Sequence, residues 1–177
     1  MRGLWSASCG GLLAVALGCG GSNGGSGTAA EKFVGVWKGN SIVTAGGQSN
    51  NVQTTLPIEQ VDPSTVRLHG FCGSGADVYA DGPKAAVNGN SFTLDPGSCT
   101  YSTANCSSVM LQVVSGNGVL STGLPPTLTV AVSANFSGCG NGVSETVTFT
   151  ASTRQPYGST ARAPDDPAAL GWVLDLR

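Results

Sequence analysis

The sequence predicts an all-β domain, with an antiparallel up-and-down barrel of about ten short strands as the expected architecture and a β-sandwich as the alternative. Three observations lead to this prediction. Apolar and polar residues alternate at period two through the middle of the chain, turn-forming residues separate most of the alternating stretches, and residues 31–154 show no helical period.

The clearest alternation runs from Thr127 to Phe136, where every second residue from Leu128 onward is apolar. A second covers Val143 to Ser152, and the glycine-rich stretch between the two is typical of a hairpin turn. The further strands are predicted at Phe33–Thr44, Val52–Val61, Thr65–Phe71, Ala76–Ala80, Ala85–Asn88, Ser91–Asp95, Ser107–Val114 and Asn117–Thr122. We place the barrel domain at residues 31–154 and an irregular or disordered tail at residues 155–177.

The composition argues against a nucleic-acid partner. Charged residues make up 10% of the 177-residue chain, and the formal net charge is −2. A chain with so few cations cannot neutralise a run of phosphates. No cluster of titratable groups, cofactor motif or metal-ligand spacing stands out, so we expect no enzyme activity, no catalytic residue, no cofactor and no metal.

The first residues read as an export signal. Met1-Arg2 is followed by the apolar run Leu12–Leu17, which is too short to span a bilayer. The sequence Ala16-Leu17-Gly18-Cys19 resembles the lipobox of bacterial lipoproteins, although that motif usually has Leu where Ala16 stands and a small residue where Leu17 stands. The resemblance implies a signal peptide at residues 1–18, an acylated (palmitoylated) Cys19 and a lipid anchor in the bacterial cell envelope. Glycine after the cysteine favours the outer membrane.

The residues after Cys19 suit a tether. Residues 19–30 are rich in glycine and serine and cannot bury an apolar surface, so they are expected to behave as a flexible spacer. Such a spacer would hold a folded domain away from the lipid headgroups.

One stretch favours the barrel over the sandwich. Residues Phe33 to Gly39 read FVGVWKG, which resembles the G-x-W opening strand of the lipocalin and fatty-acid-binding-protein superfamily. The resemblance implies that Trp37 plugs one end of the barrel, that Arg154 packs over it, and that a small apolar ligand occupies the interior. An envelope protein is the alternative partner.

Four cysteines fall in the β-domain: Cys72, Cys99, Cys106 and Cys139. An even number in an exported chain indicates two disulfides, for which three pairings are possible. Counting strands up and down places Cys72 and Cys139 at one end and the loop with Cys99 and Cys106 at the other. This count favours the pairs Cys72–Cys139 and Cys99–Cys106.

Two polar positions remain. His69, the sole histidine, shares a strand face with Arg67 and is expected to point to solvent. Glu145 falls in phase with Val147 and Phe149 on the face that should look inward. Near a turn it would sit at the rim of the sheet; otherwise it is a polar group at a cavity mouth that orients a ligand, and on that interpretation Glu145 is predicted to bind ligand, together with Trp37 and Arg154.

The sequence therefore predicts a lipid-anchored envelope barrel that acts as a non-enzymatic binding or structural module. The alternative is a β-sandwich interaction or adhesion protein that works through surface loops such as Cys99–Cys106 or Ala45–Asn51. A packed interior with a large exposed apolar patch would distinguish the second from the first.

Overall fold

A computed structural model describes residues 27–70, 82–103, 106–138 and 141–156. These residues form nine strands and one short 3-10 helix, Glu31–Phe33, so the predicted all-β class is confirmed. The strands are β1 (Gly35–Ala45), β2 (Gln48–Asp62), β3 (Thr65–Leu68), β4 (Lys84–Asn88), β5 (Ser91–Leu94), β6 (Gly97–Thr103), β7 (Cys106–Leu120), β8 (Leu128–Gly138) and β9 (Asn141–Gln155).

The strands form one antiparallel sheet that closes on itself. Their order is β5-β4-β3-β2-β1-β9-β8-β7-β6, and β5 also pairs with β7. That last pairing joins the two sides of the sheet into a ring, as in a barrel. Apart from the pairings of β1 with β9 and of β5 with β7, the pairs join strands that are neighbours in the chain, which is the up-and-down arrangement.

β5 and β6 face consecutive stretches of β7. Ser91 of β5 lies opposite Val119 of β7, and Gly97 of β6 lies opposite Val113 of β7. The paired residue numbers have the same sum in both pairings, so β6 continues the register of β5 along β7. The two segments therefore occupy one position around the ring, interrupted at Asp95 and Pro96, and nine strands fill eight positions.

The two ends of the ring differ. At the hairpin end, which we define by the turns β1–β2, β6–β7 and β8–β9, the strands are long and joined tightly. At the plugged end, the segment from Thr28 to Phe33 lies against the barrel. Gln60 Nε2 donates a hydrogen bond to Thr28 Oγ1 at 2.9 Å, and the Ala30 amide donates to the Pro63 carbonyl at 3.1 Å. The packed part therefore begins at Thr28, inside the stretch assigned to the tether.

The inner face of the ring holds the core. Alternate residues of β8 are buried from Leu128 to Phe136, as the sequence pattern predicts, and the intervening residues are half-buried or exposed. The largest fully buried side chains are Trp37, Phe33, Phe92, Phe149, Leu56, Ile58, Leu68 and Leu128. Burial of such side chains supplies the main favourable term in folding, at about 25 cal/mol per Å² of apolar surface.

One predicted turn is wrong. The predicted strands Ser107–Val114 and Asn117–Thr122 are parts of one strand, β7, which continues between them with only a shift in register between Val113 and Ser115. The reason is packing: a Cβ on Gly118 would lie 2.1 Å from the ring of Phe92. Gly118 does not form a turn; because it has no side chain, it leaves room for the Phe92 ring inside the barrel.

This strand changes the geometry of the ends. Because β7 is a single strand, the turn between β6 and β7 lies at the same end as the turn between β8 and β9. Strand counting from the sequence predicts these two turns at opposite ends of the domain. The stretch Cys99–Cys106, expected as a loop, belongs mostly to β6, and the expected loop Ala45–Asn51 is the tight β1–β2 hairpin. The predicted strand Ala76–Ala80 and the tail 157–177 lie outside the described residues.

Candidate functional site

Trp37 closes the plugged end. Its side chain is fully buried, and its indole Nε1 donates a 2.8 Å hydrogen bond to the carbonyl of Phe33. Phe33 in turn meets Phe92 edge to face, with ring centroids 5.1 Å apart. These contacts tie the segment before β1 to opposite walls of the barrel, so this end is filled by side chains.

Arg154 covers the tryptophan from outside. Its guanidinium carbon lies 5.6 Å from the centroid of the Trp37 ring, and Nη1 donates a hydrogen bond to the Lys32 carbonyl. A cation–π contact at an exposed site contributes about 0.5–1 kcal/mol. A Cβ on Gly35 would lie 2.9 Å from Cγ of Arg154, which explains the glycine two residues before the tryptophan. The expected contact between Trp37 and Arg154 is therefore present.

Glu145 lies on the inner face near the hairpin end. It is 2% exposed and pairs with Ala45 of β1 and with Ala134 of β8, so small side chains flank it on both sides. Its Oε2 is buried and finds no hydrogen-bond partner among the described residues. Burial raises the pKa of its carboxyl from 4.5 to about 7, because removal from water penalises the charged form.

A second unsatisfied polar atom lies deeper on the same wall. Ser41 is fully buried, and its Oγ also has no hydrogen-bond partner among the described residues. It lies opposite Phe149, four residues along β9 from Glu145. At about 3.3 Å per residue the two positions are roughly 13 Å apart along the strand. The side chains between them on this face are Val43 and Val147, so an apolar stretch joins two polar positions.

The three residues predicted to bind ligand do not form one cluster. Glu145 lies near the start of β9, and Arg154 lies near its end with Trp37. Nine residues of strand separate Glu145 from Arg154, or about 30 Å along the chain. Ser41 was missed by the sequence analysis, because a serine among alternating strand residues carries no signal of its own until its face is known to be buried.

His69 differs from expectation. It is 3% exposed, and its Nε2 lies 2.9 Å from Oε2 of Glu59. Strand β3 ends at Leu68, so the strand alternation that predicts an outward His69 does not extend to this residue. The His69 amide donates a hydrogen bond to the Pro57 carbonyl at 2.9 Å. The contact with Glu59 holds the ring against the barrel wall.

Cys99 is disulfide-bonded, but its predicted partner is wrong. It lies opposite Leu111, whereas Cys106 lies opposite Thr103, four residues further along β6. That distance is roughly 13 Å, and the Cα atoms of a disulfide lie about 4.4–6.8 Å apart. The register therefore excludes the pair Cys99–Cys106. Cys72 and Cys139 lie outside the described residues, as does Cys19.

A side groove opens where β4 and β6 separate. Its volume is about 290 Å³, and Lys84, Asp95 and Cys99 contribute to its lining. Within the described ranges, no three His, Cys, Asp or Glu side chains are grouped as a metal site would require. The same ranges contain no helix that is long and apolar enough to cross a membrane.

No protein-family model matches the chain, and no curated protein matches it. The functional interpretation therefore depends on the residues themselves.

Proposed function

We propose that this protein is a lipid-anchored β-barrel of the bacterial cell envelope that binds a small apolar ligand in its interior and catalyses no reaction. The observation that carries the proposal is the contrast along the inner face. One end is filled by Trp37 and its neighbours, whereas the other holds the buried Glu145, whose Oε2 has no hydrogen-bond partner among the described residues. A few placed polar groups in an apolar surround are typical of ligand sites.

The anchor and the barrel fit together geometrically. Thr28 contacts the plugged end, and eight residues, Gly20 to Gly27, lie between it and Cys19. A flexible spacer of this length has an r.m.s. reach of about 16 Å. Acylation of Cys19, which the lipobox resemblance implies, would hold the plugged end toward the bilayer. The hairpin end, with Glu145, would then face away from the membrane, toward the surrounding compartment.

Glycine at position 20 supports the outer membrane as the location, by resemblance to bacterial lipoproteins. An acyl chain gains about 0.8 kcal/mol per buried CH₂, so several chains on one cysteine would anchor the protein stably.

The ligand is tested by extraction from the native protein. The full chain is purified from bacterial membranes, and its lipid extract is analysed by mass spectrometry. We expect a small apolar molecule in about stoichiometric amount. The matched variants are Ala134→Phe, which fills the inner face of β8, and Ala131→Phe, which lies on the outer face of the same strand. We expect the first to lose the molecule and the second to keep it.

Overpacking of a core can prevent folding, so Ala134→Leu serves as a smaller change, and circular dichroism checks each variant. An empty extract from the wild-type protein, or equal loading of the two phenylalanine variants, would contradict the proposed function.

A further inference from the structure

A second groove lies on the outer face of the barrel, over strands β7, β8 and β9. Its volume is about 290 Å³, close to the lower limit of roughly 300 Å³ for small-molecule sites. The outward side chains that line it form two neighbouring rows across the sheet: Ser115, Ser133 and Thr146 in one, and Asn117, Ala131 and Thr148 in the other. We call this the outer groove.

The outer groove is deepest over β8, because that strand has small side chains there. Ala131 and Ser133 alternate with buried residues, so they point outward, and both are half-buried. The larger side chains of Thr146 and Thr148 on one side and of Asn117 on the other are exposed. The floor and the two walls therefore all belong to described strands.

The strands of the outer groove present no charge to it. β7 and β8 contain no charged residue, and β9 contains two, Glu145 and Arg154. Glu145 is 2% exposed and lies on the inner face, whereas Arg154 lies over Trp37 at the plugged end. About a quarter of the residues of a soluble domain are charged, so three adjacent strands with an uncharged outer groove depart from the usual composition.

The outer groove contains hydrogen-bonding groups of both kinds. Its four hydroxyl groups each donate and accept, and the amide of Asn117 does both as well. Among the described residues, the nearby side chains of Ser144 and Asn135 are joined by a hydrogen bond of 2.8 Å, whereas the five polar side chains of the groove make none to one another or to other residues. These five side chains are therefore available to a ligand.

The chemistry of these side chains defines the ligand that fits. A charged ligand would lose hydration without meeting a counter-charge, which is costly. A purely apolar ligand would cover the hydroxyl groups and leave them without hydrogen bonds. A neutral molecule with many hydroxyl groups avoids both costs, because it donates to and accepts from the same side chains. Sugar residues without an acidic or basic group have this chemistry.

We propose that the outer groove binds a neutral polysaccharide, with one sugar residue held by Ser133, Thr146 and Thr148. The rows on either side also consist of hydroxyl and amide side chains: Thr129 with Thr150 in one, and Asn135 with Ser144 in the other. Successive rows are about 7 Å apart along a strand, so several sugar residues can lie across them. The site is outside the barrel and goes beyond the proposed function, since it does not depend on the interior ligand.

The test compares hexasaccharides that differ in charge. The neutral probes are maltohexaose, cellohexaose and mannohexaose, the acidic probe is hexagalacturonate, and the basic probe is the glucosamine hexamer. The full chain is kept in a polyoxyethylene detergent, which has no sugar head group, and binding is followed by saturation-transfer NMR. We expect at least one neutral hexasaccharide to bind and neither charged one to do so. The affinity should not change with ionic strength, because no ion pair contributes to it.

Three variants locate the site. Thr148→Val keeps the shape of the side chain and removes its hydroxyl, and we expect it to weaken binding roughly 3- to 10-fold, as for loss of a neutral hydrogen bond. Ala131→Glu fills the floor of the groove with a charged side chain and should abolish binding. Thr153→Val is the matched control, because it makes the same change at an exposed position of β9 outside the groove. Circular dichroism checks that each variant is folded.

The outcomes separate this proposal from the proposed function. Absence of binding by all three neutral probes, equal affinity in the wild type and the folded Ala131→Glu variant, or tightest binding of hexagalacturonate would overturn the sugar site. Self-association that Ala131→Glu abolishes, without sugar binding, would assign this face to a second copy of the chain and overturn it too. Each of these results leaves the interior ligand untouched, whereas an empty lipid extract removes the interior ligand and leaves the sugar site.

Discussion

The free energy of unfolding is expected to fall by up to about 3 kcal/mol between pH 4.5 and pH 7, and Glu145→Gln should remove most of that fall. Burial raises the pKa of the Glu145 carboxyl to about 7 in the folded protein, from 4.5 for an unburied glutamate. Below pH 4.5 the Glu145 carboxyl is protonated in both the folded and the unfolded state, so it does not lower the free energy of unfolding. As the pH rises through this window the unfolded chain loses its proton while the folded protein keeps it, which favours unfolding.

Denaturant titrations at half-unit pH steps from 4 to 8 measure this effect. Glu31→Gln is the matched control, because it makes the same carboxyl-to-amide change at an exposed position of the short helix. Asp62 does not confound the result: hydrogen bonds from Ser64 and Thr65 lower its pKa below 3.8, so any stability it adds is lost only at more acidic pH. The same slope in wild type and in Glu145→Gln would show that the carboxyl is not desolvated.

Replacement of Cys99 by serine is expected to lower the free energy of unfolding by roughly 2–4 kcal/mol, the usual contribution of a native disulfide. Replacement of Cys106 should leave Cys99 oxidised, because the register of β6 with β7 holds the two residues too far apart to be joined. Non-reducing peptide mapping of the Cys106→Ser protein checks this directly. A peptide with a free Cys99 thiol would show that the pairing register is wrong.

Cys72 is the partner that we expect the map to identify. Leu68 and Pro83 are joined by a 3.0 Å backbone hydrogen bond, and Gly82 shares the side groove with Cys99. Cys72 follows Gly70 by two residues, so the chain can carry it no more than about 7 Å from Gly70. A Cys99–Cys139 peptide would contradict this assignment.

Local patterns predicted much of the fold. The alternation in β8 and β9 identified both strands and their buried faces, and it placed Glu145 inward, where the structure has it. Period-two patterning succeeds there because one face is apolar and the other is covered by hydroxyl and amide side chains. The contact of Arg154 with Trp37 came from a resemblance, because no local pattern links residues so distant in the chain.

The wrong predictions have a common physical cause: the local sequence around a residue does not determine which residues lie beside it across the sheet. Glycines at 116 and 118 suggest a turn, but they make room inside the barrel for Leu94 and Phe92. The missed strand β6 contains Cys99 and is held by pairing with β7. Strand counting therefore went wrong, and with it the predicted pair Cys99–Cys106. That Ser41 Oγ is buried without a described partner could be known only once the ring had closed.

The intact mass of the protein recovered from membranes of an expressing bacterium tests most directly whether a barrel is held at the envelope by an acylated cysteine. We predict a chain that begins at Cys19 and is heavier than the polypeptide by its acyl groups, with the same modification in Cys9→Ser and none in Cys19→Ser. A chain that still begins at Met1, or one cleaved before an unmodified Cys19, would contradict the anchored binding protein proposed above.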